Sequence, residues 1–134
     1  MTARRMTALI ADDVLASREL LNHMLDRLNI HVVAQVADGD KALARLAQIS
    51  VDIAFLDIDM PGKSGLEVLA SINSLAKVPW TVIVSAHSTT DNFKKAIENG
   101  AKGFVVKPYT VAKIKQMIDN CKLAQALAAD GSTR

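Results

Sequence analysis

The chain has 134 residues, enough for one domain with a substantial core. Half of the residues are hydrophobic and 22% are charged, a balance that excludes disordered and fibrous classes. The formal charge of +2 is too small to argue for nucleic acid, and the single cysteine, Cys121, excludes an internal disulfide framework and fits a reducing compartment.

Arg4-Arg5 ahead of the apolar segment Met6 to Ala11 has the outline of a signal peptide. Asp12-Asp13 interrupts that segment too early, and no run approaches membrane-spanning length, so a soluble, cytoplasmic protein is expected.

Strand-like and helix-like segments alternate along the chain. Ala8-Leu9-Ile10-Ala11 is a short apolar run that stops at Asp12-Asp13. Leu21, Met24, Leu25 and Leu28 recur at helical spacing and predict a first amphipathic helix. His31 to Val36 reads as a second strand, closed by Asp38-Gly39, and Leu43, Leu46 and Ala47 mark the inner face of a second helix. A central strand is expected over Val51 to Leu56, its apolar run stopping at Asp57. A run of this kind suits a strand buried on both faces of a parallel sheet, and Pro61-Gly62 then turns the chain out.

Ser64-Gly65-Leu66-Glu67 matches a capping box, opening a third helix whose buried face is Leu66, Leu69 and Ile72. Thr81 to Val84 forms a fourth strand and delivers Ser85 at its carboxyl end. A fourth helix follows, with Thr89, Thr90 or Asp91 as its cap and Gly100 as its stop. Gly103 to Val106 is a fifth strand ending in Lys107-Pro108. Val111, Ile114, Met117, Ile118 and Cys121 line the inner face of a last helix, which makes Cys121 a core residue rather than a nucleophile. Asp130-Gly131-Ser132-Thr133-Arg134 reads as a polar tail. The alternation predicts one doubly wound α/β domain with right-handed crossovers.

The chemistry lies in where the polar residues fall. Asp12-Asp13, Asp57, Ser85 and Lys107 each follow a different strand, and in a parallel sheet those ends open on one edge, where α/β sheets hold their ligands. Carboxylates crowded there repel one another unless a cation joins them. Few, hard oxygen ligands suit Mg²⁺, which shares its shell with water and phosphate oxygens. Such a site points to phosphoryl transfer, with Asp57 as nucleophile, Ser85 donating to one phosphoryl oxygen and Lys107 neutralising another.

Asp12-Asp13, Asp57 with Met60-Pro61-Gly62, Ser85-Ala86 and Lys107-Pro108 stand in the order and context of a response-regulator receiver domain, and from about Thr7 to Leu123 the chain resembles that family. The resemblance implies a flavodoxin-like five-stranded sheet of order 2-1-3-4-5 with five helices. It implies that Asp57 accepts phosphate from a phosphohistidine on a sensor histidine kinase or a histidine phosphotransfer protein. Asp13 and Asp57 would ligate Mg²⁺, helped by the backbone carbonyl of Asp59, with Asp12 acting closely or through water. Ser85 and Phe104 resemble the family's switch pair, and the Lys107-Pro108 bond is expected to be cis. By the same resemblance Asp59 and His87 stand at the family's positions for tuning phosphoryl lifetime; the plainer reading of Asp59 is a loop residue exposed to solvent. Residues 1–123 are expected to form the receiver and 124–134 a helix end and polar tail, with no output domain.

Lys94, Lys95, Lys102, Lys113, Lys115 and Lys122 cluster in the last third of the chain, against Glu98 and Asp119. The plain reading is a solvated face. The sharper one, which the family resemblance supports, is a partner or dimerisation surface formed by the last two helices and the strand between them. No helix-turn-helix or aromatic interleaving accompanies these lysines, so direct nucleic-acid binding is not expected.

Phe55-Leu56-Asp57-Ile58-Asp59 also looks like the nucleophile motif of haloacid-dehalogenase-type phosphatases. Its mid-chain place and the lack of room for a cap domain weigh against that alternative. A third class is a binding module of the same fold that is never phosphorylated. The receiver reading predicts a signalling phosphoacceptor rather than a turnover enzyme.

Overall fold

The computed structural model describes residues 4–87 and 89–129. Strands and helices alternate in the order β1 (Thr7–Ala11), α1 (Leu15–Arg27), β2 (His31–Val36), α2 (Gly39–Gln48), β3 (Ile53–Asp57), α3 (Gly65–Ile72), β4 (Trp80–Ser85), α4 (Thr90–Glu98), β5 (Gly103–Val106) and α5 (Val111–Ala129). Every ladder is parallel and the sheet order is β2-β1-β3-β4-β5. This is the doubly wound sheet expected from the alternation of elements, in the flavodoxin-like order that the family resemblance implies.

Strand periodicity divides the core into two layers. Ala8 and Ile10 of β1 and Ile53 and Phe55 of β3 face one side, where they meet Leu21 and Leu25 of α1 and Ile114 and Ile118 of α5. Leu9, Ala11, Ala54 and Leu56 face the other, against Ala42 and Leu46 of α2, Val68, Leu69 and Ile72 of α3 and Ala96 of α4. A strand with both faces covered has no polar alternation, which is why the first and third strands read as continuous apolar runs.

The helices begin where local chemistry allows. Asp38 caps α2 through the Lys41 amide, Thr89 caps α4 through the Asn92 amide, and Ser64 and Glu67 complete the capping box of α3. Thr110 Oγ1 accepts the Lys113 N–H at the start of α5. In α1 the cap position is Val14, whose side chain cannot cap.

Three buried faces differ from expectation. In α2 the inward residues are Ala42 and Leu46, while Ala47 is exposed and Leu43 half-buried; in α3 Val68 is buried and Leu66 only partly. A face predicted from periodicity alone carries an uncertain phase, because 3.6 residues per turn leaves flanking positions on either side of the stripe. Val111 is 46% exposed, since it opens α5 ahead of the residues that cover the sheet. Cys121 is buried in the core, where burial and the nearby Asp52 carboxylate push its thiol pKa up to about 12.

α5 runs unbroken past Leu123 to Ala129, and Gln125 Nε2 donates to Asp52 Oδ1 at 2.8 Å. The polar tail expected over 130–134 lies outside the described residues. None of the described helices is long and apolar enough to cross a membrane.

Candidate functional site

Register brings the polar strand ends together. Ala11 of β1 pairs with Leu56 of β3, so Asp12 comes level with Asp57. Asp57 pairs with Val84, which sets Ser85 one residue further along β4, and Ser85 pairs with Val106, which sets Lys107 one residue beyond β5. Lys107 must therefore reach across β4, and its flexible stem does so. Its ammonium lies 2.7 Å from Asp57 Oδ2 and 2.9 Å from Asp12 Oδ2.

Asp12 and Asp57 are buried, and each remaining carboxylate oxygen has a backbone donor. Asp59 N–H reaches Asp57 Oδ1 at 3.0 Å, and Val14 N–H reaches Asp12 Oδ1 at 2.9 Å. Asp13 is exposed, yet it offers an oxygen to the same place: ligand atoms of Asp12, Asp13 and Asp57 all lie within 4.8 Å of one another. The hard carboxylate set and the excess of negative charge over the single lysine in contact with it fit a divalent cation of the Mg²⁺ type.

Burial raises the pKa of Asp57 above the ordinary carboxylate value, opposed by Lys107 and the Asp59 amide and reinforced by the charge of Asp12. Burial on its own would lower the pKa of Lys107, but its hydrogen bonds to Asp57 and Asp12 outweigh that and hold it above the ordinary lysine value. Tyr109 is pushed up by burial and by the two carboxylates, with the Lys107 charge acting the other way.

Ser85 is fully buried, and among the described residues its hydroxyl makes no hydrogen bond to Asp57. Oγ donates to the His87 carbonyl at 2.6 Å and accepts the His87 N–H at 3.0 Å, closing a small turn on itself. Asp59 and His87 are both exposed at the rim. The Phe104 ring packs edge-on to Phe93 of α4, with centroids 5.6 Å apart. The pair lines a surface hollow of about 310 Å³ with Thr89, Thr90 and Val106. The Lys107-Pro108 bond is cis.

Sequence reasoning passed over three residues. Arg18 Nη1 donates to the backbone carbonyl of Asp12 at 2.6 Å. The signal was there, since a helical side chain leans toward the amino end of its helix and Arg18 is in the opening turn of α1. At the opposite edge, Asp52 accepts from the Thr7 N–H (2.7 Å) and hydroxyl (3.0 Å), from Arg4 and from Gln125. Burial works against its charged form, but these donors prevail and lower its pKa. Gly65 is the third: a Cβ there would collide with the backbone carbonyl of Asp57, so α3 can begin against the end of β3 only with glycine.

Fold and site together define a flavodoxin-like α/β domain with a lysine-bridged carboxylate cluster at the carboxyl edge of its sheet. The family model of the response regulator receiver domain matches residues 8–119, and the chain belongs to that family, the receiver domains of two-component systems. It is similar to the chemotaxis protein CheY of Listeria monocytogenes, with 31% identity over 111 residues covering 83% of this chain and 93% of that protein. Chemotaxis protein CheY of Pseudomonas aeruginosa is 31% identical over 117 residues, covering 85% and 94%. Among solved structures, a chain of the CheX–CheY–BeF3–Mg²⁺ complex of Borrelia burgdorferi superposes with a TM-score of 0.78 at 29% identity, covering 84% of this chain and 86% of that one.

Proposed function

We propose that this receiver accepts a phosphoryl group on Asp57 from a phosphohistidine donor in a Mg²⁺-dependent reaction, and that the adduct changes which partners bind the face formed by α4, β5 and α5. One observation carries the reading: Lys107 bridges Asp12 and Asp57 while Asp13 offers a third carboxylate within 4.8 Å of both.

Asp12, Asp13 and Asp57, with the Asp59 backbone carbonyl, would hold the cation. When bound, Mg²⁺ would neutralise charge shared between the carboxylates and the phosphoryl oxygens. In the transfer, an ionised Asp57 oxygen forms a bond to phosphorus as the bond from phosphorus to the donor imidazole nitrogen breaks, and the imidazole leaves with that electron pair. Lys107 keeps its proton throughout, because its pKa stands above the ordinary value, and offers it to a phosphoryl oxygen. The Ser85 hydroxyl would leave the His87 carbonyl for another. Phe104 would turn inward as Ser85 moves, and a partner that prefers this state would draw the population toward it. Asp59 and His87, both exposed, would influence water that attacks the adduct.

The exposed lysines near that face are largely solvated: Lys95 pairs with Asp91 at 3.1 Å and Lys115 with Asp119 at 2.8 Å. We assign partner choice there to the apolar residues Phe93, Ile97 and Val106, all exposed. The Borrelia complex, which contains CheX, CheY, BeF3 and Mg²⁺, supports the same chemistry by similarity.

Intact mass after incubation with acetyl phosphate and Mg²⁺ tests the reading. A labile, stoichiometric adduct on the native chain, absent with EDTA and with Asp57→Asn, is expected. Accumulating inorganic phosphate with no adduct and no beryllofluoride binding would favour the phosphatase. Neither adduct nor turnover would leave a constitutive binding module.

A further inference from the structure

We infer that Arg18 is a positioning residue for the cation site, acting as a brace that holds the loop between β1 and α1 in the form that presents Asp13. The inference rests on the Mg²⁺ reading above and adds a residue to it.

Asp12 is tied at every polar atom. Its N–H donates to the Val36 carbonyl at 3.1 Å, Oδ1 accepts from Val14 N–H, Oδ2 accepts from Lys107, and its carbonyl accepts from Arg18 at 2.6 Å. Asp13 has no hydrogen bond or ion pair among the described residues, and its carboxylate is exposed. Its approach to Asp12 and Asp57 therefore depends on the backbone around it. That backbone leaves the sheet at Asp12 and enters α1 at Leu15, so it is short, and beside the opening helical bond from Arg18 N–H to the Val14 carbonyl two hydrogen bonds to Asp12 close it. One is the Val14 amide on Asp12 Oδ1; the other is the Arg18 guanidinium on the Asp12 carbonyl. The second is charge-assisted and comes from α1 itself, so it fixes the helix to the strand end across the loop.

A brace and a mere neighbouring charge have opposite signatures. A guanidinium beside three carboxylates repels a divalent cation, so on electrostatics alone its removal should tighten Mg²⁺ binding. If it braces the loop, removal lets Asp13 wander and weakens binding, by about tenfold, the low end for a residue that orients a metal ligand from outside.

Mg²⁺ affinity measured by calorimetry without any phosphodonor, for the native chain, Arg18→Met and Arg18→Lys, decides between them. Met retains the apolar stem and Lys retains the charge on a shorter reach. The expected result is weaker binding in Arg18→Met, an intermediate value in Arg18→Lys and an unchanged urea midpoint in metal-free buffer. Unchanged or tighter binding in Arg18→Met overturns the inference. Should Arg18→Met fail to fold, Arg18→Lys still decides: weaker binding supports the brace and native affinity overturns it. No Mg²⁺ binding by the native chain would remove both this inference and the reading on which it rests.

Discussion

Lys107 and Asp57 lie 2.7 Å apart although β4 separates their strands, and the same ammonium also holds Asp12. The cluster thus sets one ammonium against three carboxylates, two positive charges short of neutrality. Replacing Lys107 with Met should leave two buried carboxylates facing each other. A loss of about 1–3 kcal/mol of stability is expected at neutral pH, below the usual cost of breaking a buried pair because the lysine side chain is 21% exposed. Urea unfolding should show the deficit shrinking as the pH is lowered, because a protonated Asp57 no longer repels Asp12.

Asp57→Asn is expected to act in the other direction. An aspartate whose pKa is raised in the folded state is held there in its less favoured form at neutral pH. The variant should be more stable than the native chain in metal-free buffer, by about 0.5–2 kcal/mol. Saturating Mg²⁺ should stabilise the native chain and not the variant, so the difference narrows or reverses. Thermal unfolding with and without Mg²⁺ measures both arms.

The pH dependence of cation binding follows from the same shift. Asp57 must be ionised to bind, and its pKa lies above the ordinary 3.8. Mg²⁺ affinity should therefore begin to fall, on acidification, at a pH higher than an unperturbed aspartate would dictate. The metal-free domain gains stability as pH falls through that raised pKa, which deepens the competition. Calorimetry in buffers of different ionisation heat should count proton release that is small near neutrality and grows toward acid. Asp52 behaves oppositely: its lowered pKa supplies stability above its unfolded value, lost as pH falls through the folded one.

Gly65→Ala tests how closely α3 sits on the acceptor strand. The new methyl would meet the Asp57 carbonyl and the Ile58 nitrogen, both backbone atoms that cannot swing aside. A cost of about 1–3 kcal/mol is expected, typical of overpacking. Slower adduct formation from acetyl phosphate should accompany it, since the shift falls on the peptide of Asp57 itself. An adduct rate equal to the native one would show that the strand end tolerates the displacement.

Much of this protein is legible in its sequence. The interior of a strand buried on both faces disfavours a charged side chain, so Asp12 and Lys107 fall just past strand ends and Asp57 at the last position of its strand, and parallel pairing puts those ends on one edge. The capping box at Ser64 and Glu67 and the strand over Gly103–Val106 were readable because each depends on neighbours in the chain. The phase of α2 was not, since periodicity leaves Leu43, Leu46 and Ala47 nearly equivalent until a sheet is laid beneath them. The buried phase, through Ala42 and Leu46, follows from contact with the sheet.

The sequence by itself determined that Asp12, Asp13, Asp57 and Lys107 share one edge of the sheet, because burial and parallel pairing leave them no other place. Tertiary structure alone decided how they meet. Whether the Ser85 hydroxyl turns to His87 or to Asp57 is a choice between hydrogen bonds of similar worth, and only the surrounding packing selects it. The same holds for Arg18 on the Asp12 carbonyl, for Gly65 against Asp57 and for Gln125 on Asp52. These contacts depend on placing atoms to within a few tenths of an ångström, and no sequence pattern encodes placement that fine.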